Sequence, residues 1–294
     1  MRQRSSGRGG SSGARGIPND EALHRTRQLG RLVAIQLAVS GLPASMFIRK
    51  AHHVDMARSA VVFGASSGIG AAVAVELASR GYTVGIAARR VDALRDVAAR
   101  HSGITAVARV DLCDVAESRA AASDLIAEVG GADVFVISAG TGSENPDLEW
   151  GPEADTFAVN VTGFTAMATL AMEHFVQRGR GHLVGISSIA AIRGHGDAPA
   201  YGASKAFVSS YLRALRHKCA RQRLPIRVTE IQPGFVATAM AKGDRLFWVA
   251  PVDVAARQIA GAIESRRTHA YVTRRWRVVA EVLRFLPEWA YNRM

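Results

Sequence analysis

S59-A-V-V-F-G-A-S-S-G-I-G70 is the stretch on which the fold turns. A short β-branched run ends at Gly64, and a helical pattern, Ala71 to Arg80, begins just after Gly70. Strand, glycine turn and helix in that order are the setting in which glycines bind phosphate. Gly64 allows a tight turn, Gly68 lets the backbone approach a diphosphate, and Gly70 lets helix and strand pack closely. The helix N-terminus adds oriented N–H donors. The spacing is G-x-x-x-G-x-G rather than G-x-G-x-x-G, and a glycine-rich turn with no ligand is the competing reading.

From that stretch onward, strand-like and helix-like patterns alternate, as they do in a doubly wound parallel sheet. The strand-like runs are A60-V-V-F, T83-V-G-I-A, T105-A-V-A-R-V, V134-F-V-I, H182-L-V-G-I, R227-V-T-E-I and A270-Y-V-T. Helical patterns lie near 68–80, 91–100, 114–129, 152–178, 201–222 and 252–266. Seven strands and six crossovers predict one Rossmann-type α/β domain, a three-layer sandwich with helices on both faces. There is no internal repeat, and 294 residues at 48% hydrophobic content suffice for such a core.

The formal charge of +12 invites a nucleic-acid reading, but its distribution argues against one. Residues 1–55 hold nine Arg/Lys against three acids, and residues 266–294 hold seven Arg against Glu281 and Glu288. The body between them carries 21 basic and 20 acidic residues, close to neutral. Cys113 and Cys219 lack C-x-x-C spacing and read as thiols of a reducing cytoplasm. The nine histidines form no metal-binding motif, so no metal is expected.

Tyr201 and Lys205 stand one helical turn apart in Y-G-A-S-K, thirteen residues after Ser188. A tyrosine makes a poor acid–base group unless its pKa falls from about 10. A lysine on the same helix face can favour the phenolate, and a serine at a strand end can hold a carbonyl oxygen beside the phenol. Alternation along the strand turns the neighbouring Ser187 to the opposite face. Taken alone, Y-x-x-x-K is common in helices.

G64-A-S-S-G-I-G70, Asp111, S138-A-G140, Asn160, Ser188, Y201-G-A-S-K205 and P233-G-F-V-A-T238 occur together and in order. On these residues the chain resembles the short-chain dehydrogenase/reductase family from about Arg58 to Thr273. The resemblance implies a catalytic tetrad of Asn160, Ser188, Tyr201 and Lys205, in which Asn160 positions a water in the relay to Lys205. It implies cofactor contacts at Gly64, Ser66, Ser67, Gly68, Ile69 and Gly70, and adenine contacts at Asp111 and Leu112. Further contacts are implied at Ala139, Gly140, Pro233, Gly234, Val236 and Thr238, with Asn160, Tyr201 and Lys205 also on the cofactor. Two positions depart from the family pattern: Phe63 replaces its usual Thr, and Ile137-Ser138 replaces Asn-Asn.

Cofactor choice is read after the second strand. An NAD enzyme usually places an acid there, whereas this chain has Ala88 followed by Arg89 and Arg90. Arg89 is expected to meet a 2′-phosphate, which favours NADP(H) over NAD(H). The expected reaction interconverts a ketone or aldehyde and an alcohol, on a small apolar substrate. The rival reading is a catalytically silent NADP-sensing protein of the same fold. The family also implies a homo-oligomer, formed through the long helices at 152–178 and 201–222.

Residues 1–55 read as a polar, low-complexity extension, with an apolar patch at 32–48 interrupted by Gly41 and Pro43. Met56 gives the short lead usual for the family and is the expected start. Residues 56–273 form the catalytic domain and 274–294 a basic amphipathic tail. That tail suits a peripheral membrane contact, packing on the flap after Thr238, or packing on a partner subunit. Phe235, Met240, Phe247 and Trp248 are the expected apolar walls of the substrate site. His195, in the loop before Tyr201, is within reach of substrate, although a loop histidine without a role is the plainer reading.

Overall fold

The computed structural model describes residues 58–241 and 246–293, so the expectations for 1–55 lie outside the described residues. Seven parallel strands form one sheet: β1 (Arg58–Phe63), β2 (Tyr82–Ala88), β3 (Ile104–Arg109), β4 (Val134–Ile137), β5 (Gly181–Ile186), β6 (Ile226–Pro233) and β7 (His269–Val272). Their spatial order is β3-β2-β1-β4-β5-β6-β7. The order reverses beside β1, which is where a doubly wound sheet opens a crevice at its carboxyl edge.

Apolar residues on both faces of each strand produce this sandwich. Along β1, Ala60 and Val62 enter the core on one side of the sheet, while Val61 and Phe63 enter the other. Strands buried on both faces read as continuous apolar runs, and these runs are parallel. On the first side lie α1 (Gly68–Ser79), α2 (Val91–Ala98) and α7 (Val252–Glu264). Helix α7 turns Ala255, Ala256, Ile259, Ala260 and Ile263 inward and packs on α1.

On the second side lie α3 (Val115–Glu128), α5 (Phe164–Arg178) and α6 (Pro199–Arg221). Phe63, in place of the family's Thr, stacks on Phe135 at 5.0 Å, and Phe135 meets the edge of Phe175 at 6.1 Å. Each such ring contributes about 1.5–3 kcal/mol by burial alone. The substitution therefore exchanges a polar brace for aromatic packing. Ile137 likewise lies fully buried in this layer.

The helical pattern expected over 152–178 is not continuous. It divides into α4 (Trp150–Phe157), a wider π-type turn (Ala158–Gly163) and α5. The turn is held from both sides: Asn160 bonds across to Thr141, and a Cβ at Gly163 would strike Leu112. Such turns concentrate at functional sites. The chain ends in α8 (Trp276–Phe285) and α9 (Glu288–Tyr291), which Leu286-Pro287 separates.

Candidate active site

The glycine turn is built by close main-chain contacts. Gly64 has φ +80°, and a Cβ there would strike the Ala139 backbone; one at Gly70 would strike the Gly64 carbonyl. Gly68 has φ +57° and faces Thr238, 3.2 Å from where its Cβ would stand. The P233–T238 segment thus returns to the turn. Ser67 takes the N-cap position of α1, but its side chain makes no cap hydrogen bond. The first N–H groups of α1 are therefore left without a side-chain acceptor, the arrangement that suits an anionic ligand.

Both serines of the turn face Arg90, the neighbour of the Arg89 expected to meet a 2′-phosphate. The Arg90 guanidinium donates to Ser66 Oγ at 3.1 Å and Ser67 Oγ at 2.9 Å, and both Arg89 and Arg90 are exposed. Arg90 is the N-cap residue of α2, which directs its side chain back over the turn. Asp111 accepts from the Cys113 N–H at 3.2 Å, and the Leu112 side chain is buried under Gly163. Leu112 can therefore meet a ligand only through its main chain.

The four expected catalytic residues share the carboxyl edge of the sheet. Ser188 follows β5, its hydroxyl accepts from the Ala190 N–H at 3.1 Å, and it is nearly buried. Ser187 points away and donates to buried Glu230 at 3.0 Å, as strand alternation requires. Tyr201 and Lys205 lie in the first turns of α6, and a Cβ at Gly142 would enter the Tyr201 ring. Lys205 is 6% exposed and donates to the Ile186 carbonyl at 3.2 Å. The vacant Cβ position of Gly140 stands 3.0 Å from Lys205 Nζ and 3.3 Å from Asn160 Oδ1. Glycine at that position keeps open a gap between the two groups.

Asn160 is 1% exposed, and its amide is held on both sides. Oδ1 accepts from Thr141 N–H at 2.9 Å, and Nδ2 donates to Thr141 O at 2.7 Å and Ser204 Oγ at 2.9 Å. Both amide hydrogens are thereby used, while Oδ1 keeps a second lone pair. Ser204 and Thr141 escaped the sequence reading. Ser204 directly precedes Lys205 and carried a usable signal, whereas Thr141 holds Asn160 through its main chain and carried none.

Burial is the largest influence on the Tyr201 phenol and pushes it up, and the Ser188 hydroxyl draws it part of the way back. Lys205 Nζ lies 5.7 Å from the ring centroid and donates to the Ile186 carbonyl. Lys205 itself falls to about 8 because burial penalises its charge.

The residues expected as apolar walls join an aromatic cluster. Phe235, Phe247 and Trp276 meet at centroid distances of 5.1–5.7 Å, and a Cβ at Gly234 would strike the Trp276 indole. Trp276 also meets Trp248 at 6.3 Å, so the tail packs on the flap. Met240 is half exposed and His195 exposed. Arg193, in the loop between Ser188 and Tyr201, donates to the Leu283 carbonyl at 3.0 Å and also to that of Leu286. Tyr291 donates to the Gly194 carbonyl at 2.6 Å. Neither contact was foreseen. Among the described residues, no three His, Cys, Asp or Glu side chains gather as a metal site.

The fold and the glycine turn define a nucleotide-binding α/β enzyme of Rossmann type. Residues 58–246 match the model described as short chain dehydrogenase, and the chain belongs to that family of oxidoreductases, which act on CH–OH and carbonyl groups. An uncharacterized oxidoreductase of Myxococcus xanthus is 41% identical over 62% of this chain and 74% of its own length. A 3-oxoacyl-[acyl-carrier-protein] reductase of Bos taurus is 28% identical over 64% of this chain and 79% of its own. The crystal structure of a Burkholderia phymatum short chain dehydrogenase/reductase in complex with NAD shares the fold. It superposes with a TM-score of 0.69 at 20% identity, covering 77% of this chain and 92% of that one.

Proposed function

We propose that this protein is an NADP(H)-dependent oxidoreductase that interconverts a ketone or aldehyde and an alcohol, with Tyr201 as the acid–base group. One observation carries the reading: buried Lys205, held Asn160 and the Ser188–Tyr201 pair converge at the carboxyl edge of the sheet, above an uncapped α1. The turn fits a dinucleotide, because Gly64 and Gly70 allow main-chain approaches that a Cβ would block and Gly68 takes a φ of +57°. Residues 64–70 would hold the diphosphate, and Asp111 and the Leu112 main chain the adenosine. Ala139, Gly140, Pro233, Gly234, Val236 and Thr238 would line the nicotinamide half. That cofactor supplies the hydride when bound.

The chain's own residues handle the oxygen and its proton. Ser188 donates a hydrogen bond to the substrate carbonyl oxygen and fixes it beside the phenol. Tyr201 gives its proton to that oxygen as the alcohol forms; in reverse it accepts one. The Lys205 ammonium, 5.7 Å from the ring centroid, favours the phenolate left behind. Lys205, whose pKa of about 8 makes it an exchangeable donor near neutrality, returns the proton. The gap between Lys205 Nζ and Asn160 Oδ1 admits a water that connects the relay to solvent. Phe235 and Phe247 favour an apolar carrier for the carbonyl.

Arg90 on Ser66 and Ser67, with Arg89 beside it, supports NADP(H), since no carboxylate stands at the end of β2 to repel a 2′-phosphate. The test is oxidation of NADPH and of NADH over a panel of ketones, aldehydes and acyl thioesters. At least about tenfold higher kcat/KM with NADPH is expected. Equal efficiency would overturn the cofactor choice. NADPH binding without turnover across the panel would favour a silent sensor.

A further inference from the structure

An amphipathic helix normally turns its apolar face inward, yet α8 presents apolar residues on two faces. One face anchors it: Trp276 is 2% and Ala280 0% exposed, and Arg193 holds the carbonyls of Leu283 and Leu286. The other carries Val278, Val282 and Phe285 at i, i+4 and i+7, which share one side of a helix and are 64%, 57% and 82% exposed. Trp289, in α9, adds a ring 65% exposed.

The surroundings of this stripe are cationic. A groove of about 800 Å³ between α7, β7 and α8 is lined by Arg257, Arg267, Arg274, Arg277 and Arg284, with Glu281 as the acid among its lining residues. Arg284 pairs with Glu281, and Arg257 with Asp253. Arg267, Arg274 and Arg277 have no acidic partner among the described residues. Arg277 and Arg284 belong to both the groove and α8, so the cationic groove borders the apolar stripe directly. No described helix is long and apolar enough to cross a membrane.

We infer that α8, α9 and this groove form a docking surface for an anionic lipid surface. The apolar stripe enters the headgroup boundary, and the unpaired guanidiniums take up phosphate oxygens beside it. Both halves are needed to recognise such a partner. An apolar stripe alone would suit a second copy, but two copies meeting here would bring their arginine grooves together with little acid to offset them. The helix is fixed on the catalytic body, so docking needs no rearrangement. This reading does not depend on the catalytic one.

The test is cosedimentation of the full chain with phosphatidylcholine vesicles containing phosphatidylglycerol, and with pure phosphatidylcholine vesicles. Binding is expected to the first alone and to weaken with added salt. Phe285→Glu and the double variant Arg274→Glu/Arg277→Glu alter exposed side chains. Each should lower partitioning about fivefold or more while leaving the thermal midpoint unchanged. Absence of wild-type binding to the anionic vesicles would overturn the inference. So would equal binding to neutral vesicles. Undiminished binding of Phe285→Glu would place the contact elsewhere in the chain. Wild-type self-association that Phe285→Glu abolishes, without vesicle binding, would assign the face to a second copy.

Discussion

The two ends of the same sheet treat their polar groups in opposite ways. At the amino ends of the strands, most polar groups are matched to one another, with Arg178 Nε an exception. Asp133 accepts from the Ser59 N–H at 3.2 Å, Arg178 at 3.1 Å and Arg180 at 3.3 Å, and His182 meets Thr229 at 2.7 Å. At the carboxyl ends the groups are held but left with capacity. The first turn of α1 has no side-chain cap, Asn160 Oδ1 keeps a lone pair, and Lys205 is buried on a single carbonyl. One rim is closed for stability; the other keeps its unsatisfied groups for a ligand. Changes at the two rims should therefore separate into losses of activity and losses of stability.

The largest expected effect is at the open rim. Tyr201→Phe removes one hydroxyl and should lower turnover about a thousandfold or more, with cofactor affinity and thermal midpoint nearly unchanged. Steady-state kinetics, cofactor titration and calorimetry together check it. Retained turnover would end the assignment of Tyr201. The matching change at the closed rim is Asp133→Ala, which strips the buried Ser59 N–H of its acceptor. It should destabilise by about 2–3 kcal/mol in denaturant unfolding and leave kcat of the folded enzyme intact. Burial alone would raise the Asp133 pKa, but the Ser59 N–H and the two arginines outweigh it and hold the carboxyl below its ordinary range.

The rims also differ in the pH at which they lose or gain stability. His182 falls to about 4 in the folded chain because burial penalises its charge. The unfolded chain takes up that proton near 6.5, so stability is full above 6.5 and is lost as pH drops toward 4. The loss is about 3 kcal/mol, and His182→Gln should flatten that limb. Lys205 has the same sign but a different window. Its folded value of about 8 lies below the unfolded 10.5, so its buried charge opposes folding at neutral pH and is relieved as pH rises from 8 to 10.5. Lys205→Met should abolish activity yet raise the thermal midpoint at pH 7 by a few degrees. A lowered midpoint would show that the Ile186 contact outweighs the buried charge.

What could be read from sequence follows the same division. The apolar runs at Ala60–Phe63 and Val134–Ile137 are local, and so is the glycine turn; both were legible because each residue's role depends on near neighbours. Tyr201 and Lys205 were legible as a spacing, but not their electrostatics, since burial of the phenol is set by distant chain. The Asp133 cluster joins residues 74 and 45 positions away, and no periodicity reports such pairs. The tail's amphipathic pattern was visible, but not which face packs: Trp276 lies under Gly234, 42 positions earlier. The arginines after β2 show the limit most sharply. Sequence singled out Arg89 as a phosphate partner, but gave no sign that its neighbour Arg90 bonds both serines of the turn.

The choice between these two arginines gives the smallest and most discriminating effect. Arg90 touches two serine hydroxyls and no carboxylate, so its charge is free to pair with an added phosphate. Replacing it with alanine should weaken NADPH binding about tenfold, the scale of one exposed charge-assisted contact, and leave NADH binding nearly unchanged. Arg89→Ala, by contrast, removes an exposed side chain that makes no contact with the turn's serines and should cost less. Fluorescence titration of both coenzymes against both variants separates the outcomes. Equal losses for NADPH and NADH at Arg90→Ala would mean that the guanidinium braces the turn itself, making it part of the closed, structural kind of polar group. A larger NADPH loss at Arg89→Ala would restore the arginine that the sequence favoured. Only a loss confined to NADPH, and to Arg90, makes the open rim specific for the extra phosphate.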